Sequence, residues 1–267
     1  MKKSFIILIC LISLTLLTAC DGGADDGTAF VIAGSTSVQP YVEMLVEYYE
    51  HYHPERFVDV QGGGSSSGIQ AATAGTAALG MSSRNLRGDE LYLWSHEIAR
   101  DALAIIVHPS NEVGNLTLEQ IRKIYTAEIT NWSELGGDDA RIHIITREEG
   151  SGTRAAFEEL VMDNQRITPR AIVQDSNGSV RQLVSGDRFS IGYISLGLVD
   201  IGENSVNAVR IGGVAPTAEN VRDYTYALFR RFLLVSLEEP TENVMDFIHF
   251  IDSEEGHRIM IDEGLIP

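Results

Sequence analysis

Cysteine is all but absent. The 267 residues contain two, Cys10 and Cys20. The first falls in an apolar leader, so the mature chain cannot close an internal disulfide or build a cysteine metal site. Basic residues are also scarce: 20 Lys and Arg stand against 38 Asp and Glu, a formal net charge of −18. That balance excludes a nucleic-acid surface, which needs clustered basic side chains. It favours solubility and leaves the fold open. Aromatics make up 7% of the chain, and Trp94, Trp132 and the nine Tyr read as packing rather than as stacking platforms. Among the seven His, only His51 and His53 approach a metal-ligand spacing, and at a helix end they read as solvated surface. No metal and no cofactor is expected. The one long apolar run comes after Lys2 and Lys3 and continues to Leu17. It is short for a membrane span and has the positively charged start of a secretory signal.

That run ends in Leu17-Thr18-Ala19-Cys20, which resembles the lipobox of bacterial lipoproteins. The resemblance implies removal of residues 1–19, a lipid on Cys20 and a domain held on a membrane outside the cytoplasm. An uncleaved anchor helix with an incidental cysteine is the competing reading. Without Lys2 and Lys3 the chain keeps 18 basic against 38 acidic side chains. Residues 20–28 are polar and Gly-rich and read as a flexible tether.

Beyond the tether, strand and helix patterns alternate. Residues 30–34 (FVIAG) form a short apolar strand. Val38, Tyr41, Val42, Leu45, Val46 and Tyr49 then share one helical face. Residues 56–61 alternate as a strand and run into GGGSSSG, residues 78–83 end another strand, and residues 101–109 form a buried strand stopped by Pro109. Thr117 and Gln120 fit a capping box ahead of Leu118, Ile121, Ile124 and Tyr125. Further strands are expected at 141–147, 191–195, 208–212 and 232–237, with a helical tail over 242–264 broken near Ser253 and Gly256. The pattern predicts an α/β fold with mostly parallel sheets.

Three Gly/Ser/Thr clusters occupy the same kind of position, after a strand and before a helix: 34–37, 62–68 and 150–153. There the first helical amides lack partners and the helix dipole adds partial positive charge. Glycine lets the backbone approach an anion closely, and hydroxyls donate as well. A lone Ser or Thr at such a junction is usually a cap. Three clusters together, with Arg147 at a strand end beside one of them, point to an oxyanion site, since a guanidinium can meet two oxygens at once. The competing role for Arg147 is a surface pair with Glu148 or Glu149. Glu149 is the candidate for holding Arg147 in place. Arg154, just inside the next helix, divides evenly between a ligand and a solvated cation.

At these loops a resemblance becomes specific. "AGSTSVQP", "QGGGSSSGI", "LGMSSR" and "REEGSGTR" resemble, in this order, the four anion loops of the phosphate-binding proteins of bacterial phosphate ABC transporters, the PstS family. "LTLEQIRKIYTAEITNWSELGG" and the last helices fit the same family. The resemblance implies a two-lobed periplasmic-binding-protein fold of type II. Each lobe would hold a mixed, mostly parallel sheet flanked by helices, with two crossover strands as hinge: lobe 1 from residues 29–105 and 230–267, lobe 2 from 106–229. It implies phosphate held by Thr36, Ser37, Ser65, Ser83, Arg147, Ser151, Gly152 and Thr153, with Ser35 nearby. Some members carry Asp where Ser83 stands, which accepts the proton of hydrogen phosphate and repels sulfate. Arg84 beside it would add a second positive charge. The implied partners are inorganic phosphate, the permease subunits of an ABC importer and the membrane through Cys20. The protein is expected to be a monomer without affinity for nucleic acid.

Other readings stay open on the sequence. The ligand could be sulfate or molybdate, or the domain a phosphate sensor or adhesin. Gly64 to Gly68 formally match the G-x-S-x-G of serine hydrolases, with Ser66 as nucleophile and His249 or His257 as base. Asn115 and Asn177 head Asn-x-Ser/Thr triplets and are expected to be unmodified in a bacterial lipoprotein.

Overall fold

The computed structural model describes residues 29–199 and 205–267. The leader, the tether and Cys20 lie outside these residues. The chain opens with β1 (Ala29–Gly34), α1 (Gln39–Tyr52), β2 (Phe57–Gly62), α2 (Ser65–Thr73) and β3 (Leu79–Ser82). β1 pairs in parallel with both β2 and β3, as strands joined by helical crossovers do. The apolar face expected for α1 is the buried one: Tyr41, Val42, Leu45, Val46 and Tyr49.

β4 (Trp94–Val107) is 14 residues long. Only its second half reads as a strand in the sequence, because the first half is partly exposed and carries His96, Glu97 and Arg100. The second group comprises β5 (Asn115–Leu116), α3 (Leu118–Tyr125), a 3-10 turn at Trp132–Leu135, β6 (His143–Arg147), α4 (Gly152–Phe157), β7 (Ile172–Gln174), α5 (Asn177–Gly186), β8 (Ser190–Ser195), β9 (Asn207–Ala208), β10 (Arg210–Ile211) and α6 (Ala218–Arg222). The capping box of α3 forms as expected, with the Gln120 amide donating to Thr117 Oγ1 at 3.1 Å and the Thr117 amide donating to Gln120 Oε1 at 2.8 Å. The single strand expected over 208–212 splits into the short β9 and β10. β11 (Phe229–Ser236), α7 (Glu242–Ile251) and α8 (Glu254–Asp262) complete the chain. The expected break in the tail falls at Ser253, whose hydroxyl caps α8 by accepting from the Gly256 amide at 3.1 Å.

The main sheet runs β2-β1-β3-β11-β4-β8-β6-β7, with β9 also on β4. β4 divides its partners along its length. Residues Trp94 to Ala102 pair antiparallel with β11, and Leu103 to Val107 pair antiparallel with β8. Two large cores result from this division. Ile32, Leu45, Tyr49, Ile98, Phe232, Leu234, Phe247 and Met260 belong to one. Leu103, Ile105, Tyr125, Trp132, Phe157, Tyr193 and Tyr226 belong to the other. In the second core Phe157 and Tyr193 stack at 4.2 Å, and the indole of Trp132 donates to the Phe189 carbonyl at 2.8 Å, so neither the ring faces nor the N–H is wasted.

α2 lies directly on the strands that carry the first two loops. A Cβ on Gly68 would sit 2.5 Å from the Ala33 carbonyl oxygen and 2.6 Å from Gly34 Cα, both backbone atoms. Gly68→Ala must therefore push the helix off the sheet. Overpacking of this kind costs about 1–3 kcal/mol. For a chain of this size that corresponds to a Tm lower by roughly 3–10 °C, which a thermal unfolding curve would register.

Candidate functional site

Four loops meet where the two cores face each other. The first, residues 35–38 between β1 and α1, is held by its own turn: the amides of Val38 and Gln39 both donate to the Ser35 carbonyl. The helix starting there has no side-chain cap. The second loop turns at Gly64, whose φ of 91° lies in the region that favours glycine. The amides of Gly63 and Gly64 both donate to the Gly34 carbonyl, which ties the second loop to the first.

The third loop joins them through side chains. Ser35 Oγ donates to Ser83 Oγ at 2.8 Å, and the Ser83 amide donates to Ser65 Oγ at 3.1 Å. The fourth loop comes from the other core and closes over the three. Ser37 Oγ and Thr153 Oγ1 are 2.7 Å apart, and the Ser66 amide donates to the Gly150 carbonyl at 3.1 Å. A Cβ on Gly152 would fall on Ser65 Oγ and Ser83 Oγ, so glycine is what lets this loop reach the others. Ser151 caps α4, accepting from the Arg154 amide at 3.2 Å. The structure thus brings Ser35, Thr36, Ser37, Ser65, Ser83, Arg147, Ser151, Gly152 and Thr153 to one place. All are buried except Thr36, which is partly so.

Arg147, at the end of β6, is 1% exposed. Its Nε and Nη2 donate to the two carboxylate oxygens of Glu148 at 2.9 and 3.0 Å, and Nη2 also donates to the Asp175 carbonyl at 2.9 Å and to Thr36 Oγ1 at 3.3 Å. Nη1 is buried without a protein partner. An unsatisfied buried donor on a charged group is costly, and an anion at that edge would remove the cost. The arginine is backed from behind as well. Its amide donates to Tyr193 Oη at 3.3 Å, and Arg154 Nη1 donates to its carbonyl at 3.1 Å. Burial pushes the Tyr193 phenol up to about 12, so it stays neutral as it accepts.

Three expectations need correction. Glu149 does not hold Arg147; the neighbouring Glu148 does. Glu149 is exposed and lines an open depression with Arg154, Glu158 and Arg166. Arg84 does not bring a second positive charge to the loops. Both its terminal nitrogens donate to Glu90 at 2.7 Å, and these bonds hold the Glu90 carboxyl below its ordinary range. Arg154 is neither a ligand nor a free cation: Nε donates to Glu158 at 2.8 Å while Nη1 supports Arg147.

Two residues enter that sequence reasoning passed over. Asn177 starts α5 and is 1% exposed. Its Nδ2 donates to Ser37 Oγ at 2.9 Å and to Thr36 Oγ1 at 3.3 Å. The triplet that reads as a glycosylation motif is therefore inaccessible. Arg230 is the second cation. It lies directly opposite Asp101 in the β11–β4 register, and its Nε and Nη2 donate to Asp101 Oδ2 at 3.0 and 2.9 Å. Nη2 also donates to Ser37 Oγ at 2.9 Å. A signal was available: strand alternation puts Arg230 on the same face as the buried Phe232 and Leu234. The proposed nucleophile Ser66 sits in the first turn of α2. His249 and His257 belong to α7 and α8, whose buried faces line the first core.

A sequence profile of the family described as PBP superfamily domain matches residues 21–255. The phosphate-binding protein PstS of Borreliella burgdorferi is 30% identical over 275 residues, covering 99% of this chain and 98% of that one. A substrate-binding protein assigned to a phosphate ABC transporter of Clostridium perfringens, crystallised with bound phosphate, superposes with a TM-score of 0.86 at 45% identity. That match covers 89% of this chain and 98% of the other. An ABC-type phosphate transport receptor from Vibrio cholerae superposes with a TM-score of 0.74 at 38% identity, over 89% and 99% of the two chains.

Proposed function

The chain belongs to the PBP superfamily and within it to the PstS family, and from that premise we propose that it captures inorganic phosphate outside the cytoplasm and delivers it to an ABC importer. The observation that carries this reading is the convergence of four loops on Arg147, whose Nη1 is buried and unpartnered. A tetrahedral oxyanion has the oxygens to accept from that edge, from the hydroxyls and from the amides at the helix starts together.

The division of partners along β4 supports a two-lobed mechanism. Lobe 1 would comprise residues 29–102 and 230–267 and lobe 2 residues 103–229, and β4 and β11 form the hinge. The expected boundary at 105 moves back because Leu103 to Val107 pair with β8, and Leu103, Ile105 and Val107 pack in the second core. Ser37–Thr153, Thr36–Arg147 and Ser66–Gly150 are then bonds between lobes. An anion bound to donors from both lobes favours the closed state by its differential affinity for it. Release requires the importer's membrane subunits to open the clamp. The site binds and does no chemistry, so the protein is a carrier rather than an enzyme. Cys20 carries the lipid that keeps the monomeric domain on the membrane. Expressing the chain with Cys20→Ser should move it from the membrane to the soluble fraction.

Calorimetric titration of residues 21–267 with phosphate, sulfate, arsenate and molybdate tests the proposal. Phosphate and arsenate, which share charge and shape, should bind, with phosphate in the micromolar range or tighter. No heat with phosphate would reject it. Ser83 stands where a carboxylate would repel sulfate, so sulfate should compete more strongly here than at a site with an acid in the third loop.

A further inference from the structure

Arg230 is a buried cation at the loop junction that the four loops leave without a role. Its side chain is 3% exposed and comes from a hinge strand rather than from any of the loops. The guanidinium is oriented on two sides. Asp101 Oδ2 takes the Nε–Nη2 edge. Asp101 is itself fixed, since its Oδ1 accepts from Ser195 Oγ at 2.7 Å and from the Leu196 amide at 3.3 Å. The second hydrogen of Nη2 points along the end of the planar fork, and there Ser37 Oγ accepts it at 2.9 Å. Nη1 shares that end of the fork and is buried with no protein partner. Ser37 in turn touches Thr153 and Asn177. The open end of Arg230 therefore lies beside Ser37, which Asn177 links to Thr36, the hydroxyl that Arg147 Nη2 reaches.

Building on the phosphate reading, we propose that Arg230 is a second guanidinium ligand of the bound anion, supplied by the hinge and aimed by Asp101, in the role expected of Arg84. The charged and titratable groups around it are Asp101 on β4, Arg147 on β6 and Tyr41 on α1. Burial drives Arg230 below its ordinary range and Asp101 above, and their contact opposes both shifts. The charge of Arg147 lowers Arg230 further, and an anion between the two guanidinium groups would relieve that repulsion. Each arginine already has its own carboxylate, Glu148 or Asp101, so the pair adds directed donors rather than net charge. This suits a protein whose formal charge is −18.

The test compares wild type, Arg230→Gln and the neutral pair Asp101→Asn/Arg230→Gln in phosphate titrations, with thermal melts to establish folding. Replacing a whole buried ion pair by neutral groups is commonly tolerated, so the double variant guards against a single variant that fails to fold. Loss of a charged donor to an anion predicts a phosphate Kd raised about thirtyfold or more in both variants. A purely structural arginine would behave differently: removing its carboxylate partner as well would bring the double variant back to wild-type affinity. A folded double variant within about threefold of wild type would overturn the role of Arg230 and leave phosphate binding standing. Failure of wild type to bind phosphate would overturn both.

Discussion

Replacing Arg147 with alanine should raise the phosphate dissociation constant by about a hundredfold to a thousandfold. Three losses combine. The variant removes the unpartnered Nη1 donor and the Nη2 bond to Thr36 across the junction. It also leaves Glu148, whose carboxylate accepts from Nε and Nη2, as an unbalanced negative charge beside the anion. Truncating one partner of a buried, hydrogen-bonded charge pair costs about 2–5 kcal/mol, much of it from the charge left behind. Arg147→Lys should recover only part of the affinity, because an ammonium cannot meet Glu148 with a fork and still reach the ligand. The fold should survive with a lowered Tm, since Arg147 also donates to the carbonyls of Gln174 and Asp175. Calorimetry and a melt on the same sample separate the two effects. A dissociation constant within about threefold of wild type would remove Arg147 from the site.

Gly152→Ala should act by another route. A Cβ there would lie 2.1 Å from Ser65 Oγ, 2.5 Å from Ser83 Oγ and 3.0 Å from Ser65 Cβ. The hydroxyls can turn aside, but Ser65 Cβ is fixed by the helix that carries it. The methyl group removes no donor; it pushes the fourth loop away from the second and third, which the proposed closure brings together. Overpacking on this scale costs about 1–3 kcal/mol, or roughly tenfold to a hundredfold in phosphate affinity. The strain exists only when the loops are together, so the Tm without phosphate should fall within about 2 °C of wild type. The stabilisation that phosphate gives should shrink with the affinity. A Tm collapse without ligand would place this contact in the folding core instead of the closure.

How much of this was legible in the sequence depends on how local each signal is. Glycine, serine and threonine at a strand-to-helix junction constitute a local signal, so the clusters at 34–37, 62–68 and 150–153 are legible directly, while singling out Thr36, Ser37, Ser65, Ser151 and Thr153 within them takes the family resemblance. The choice between Glu148 and Glu149 as the partner of Arg147 depends on how the chain turns at Gly150, and adjacent residues point to opposite sides. Arg84 comes directly after Ser83 in sequence yet turns away, because Glu90 offers both carboxylate oxygens six residues on. Asn177 lies in a Ser-Asn-Gly-Ser stretch that offers only a glycosylation triplet to a local reading, so neither its helix nor β7 is legible there. Arg230 and Asp101 needed the register of two strands 129 residues apart. For the fold, the apolar second half of β4 is plain in the sequence, whereas its charged first half conceals that one strand serves both halves of the main sheet.

That shared strand constrains how the halves can move. β4 and β11 stay paired from Phe229 opposite Ala102 to Ser236 opposite Trp94, with a single irregularity between Phe232 and Leu233. A double-stranded ribbon of this sort has no freely rotating linker residue. Any change of angle between the halves has to strain the ladder that includes the Arg230–Asp101 pair. If the halves close on phosphate as proposed, they do so by bending this ribbon, and the subunits that empty the carrier would work against its elastic return.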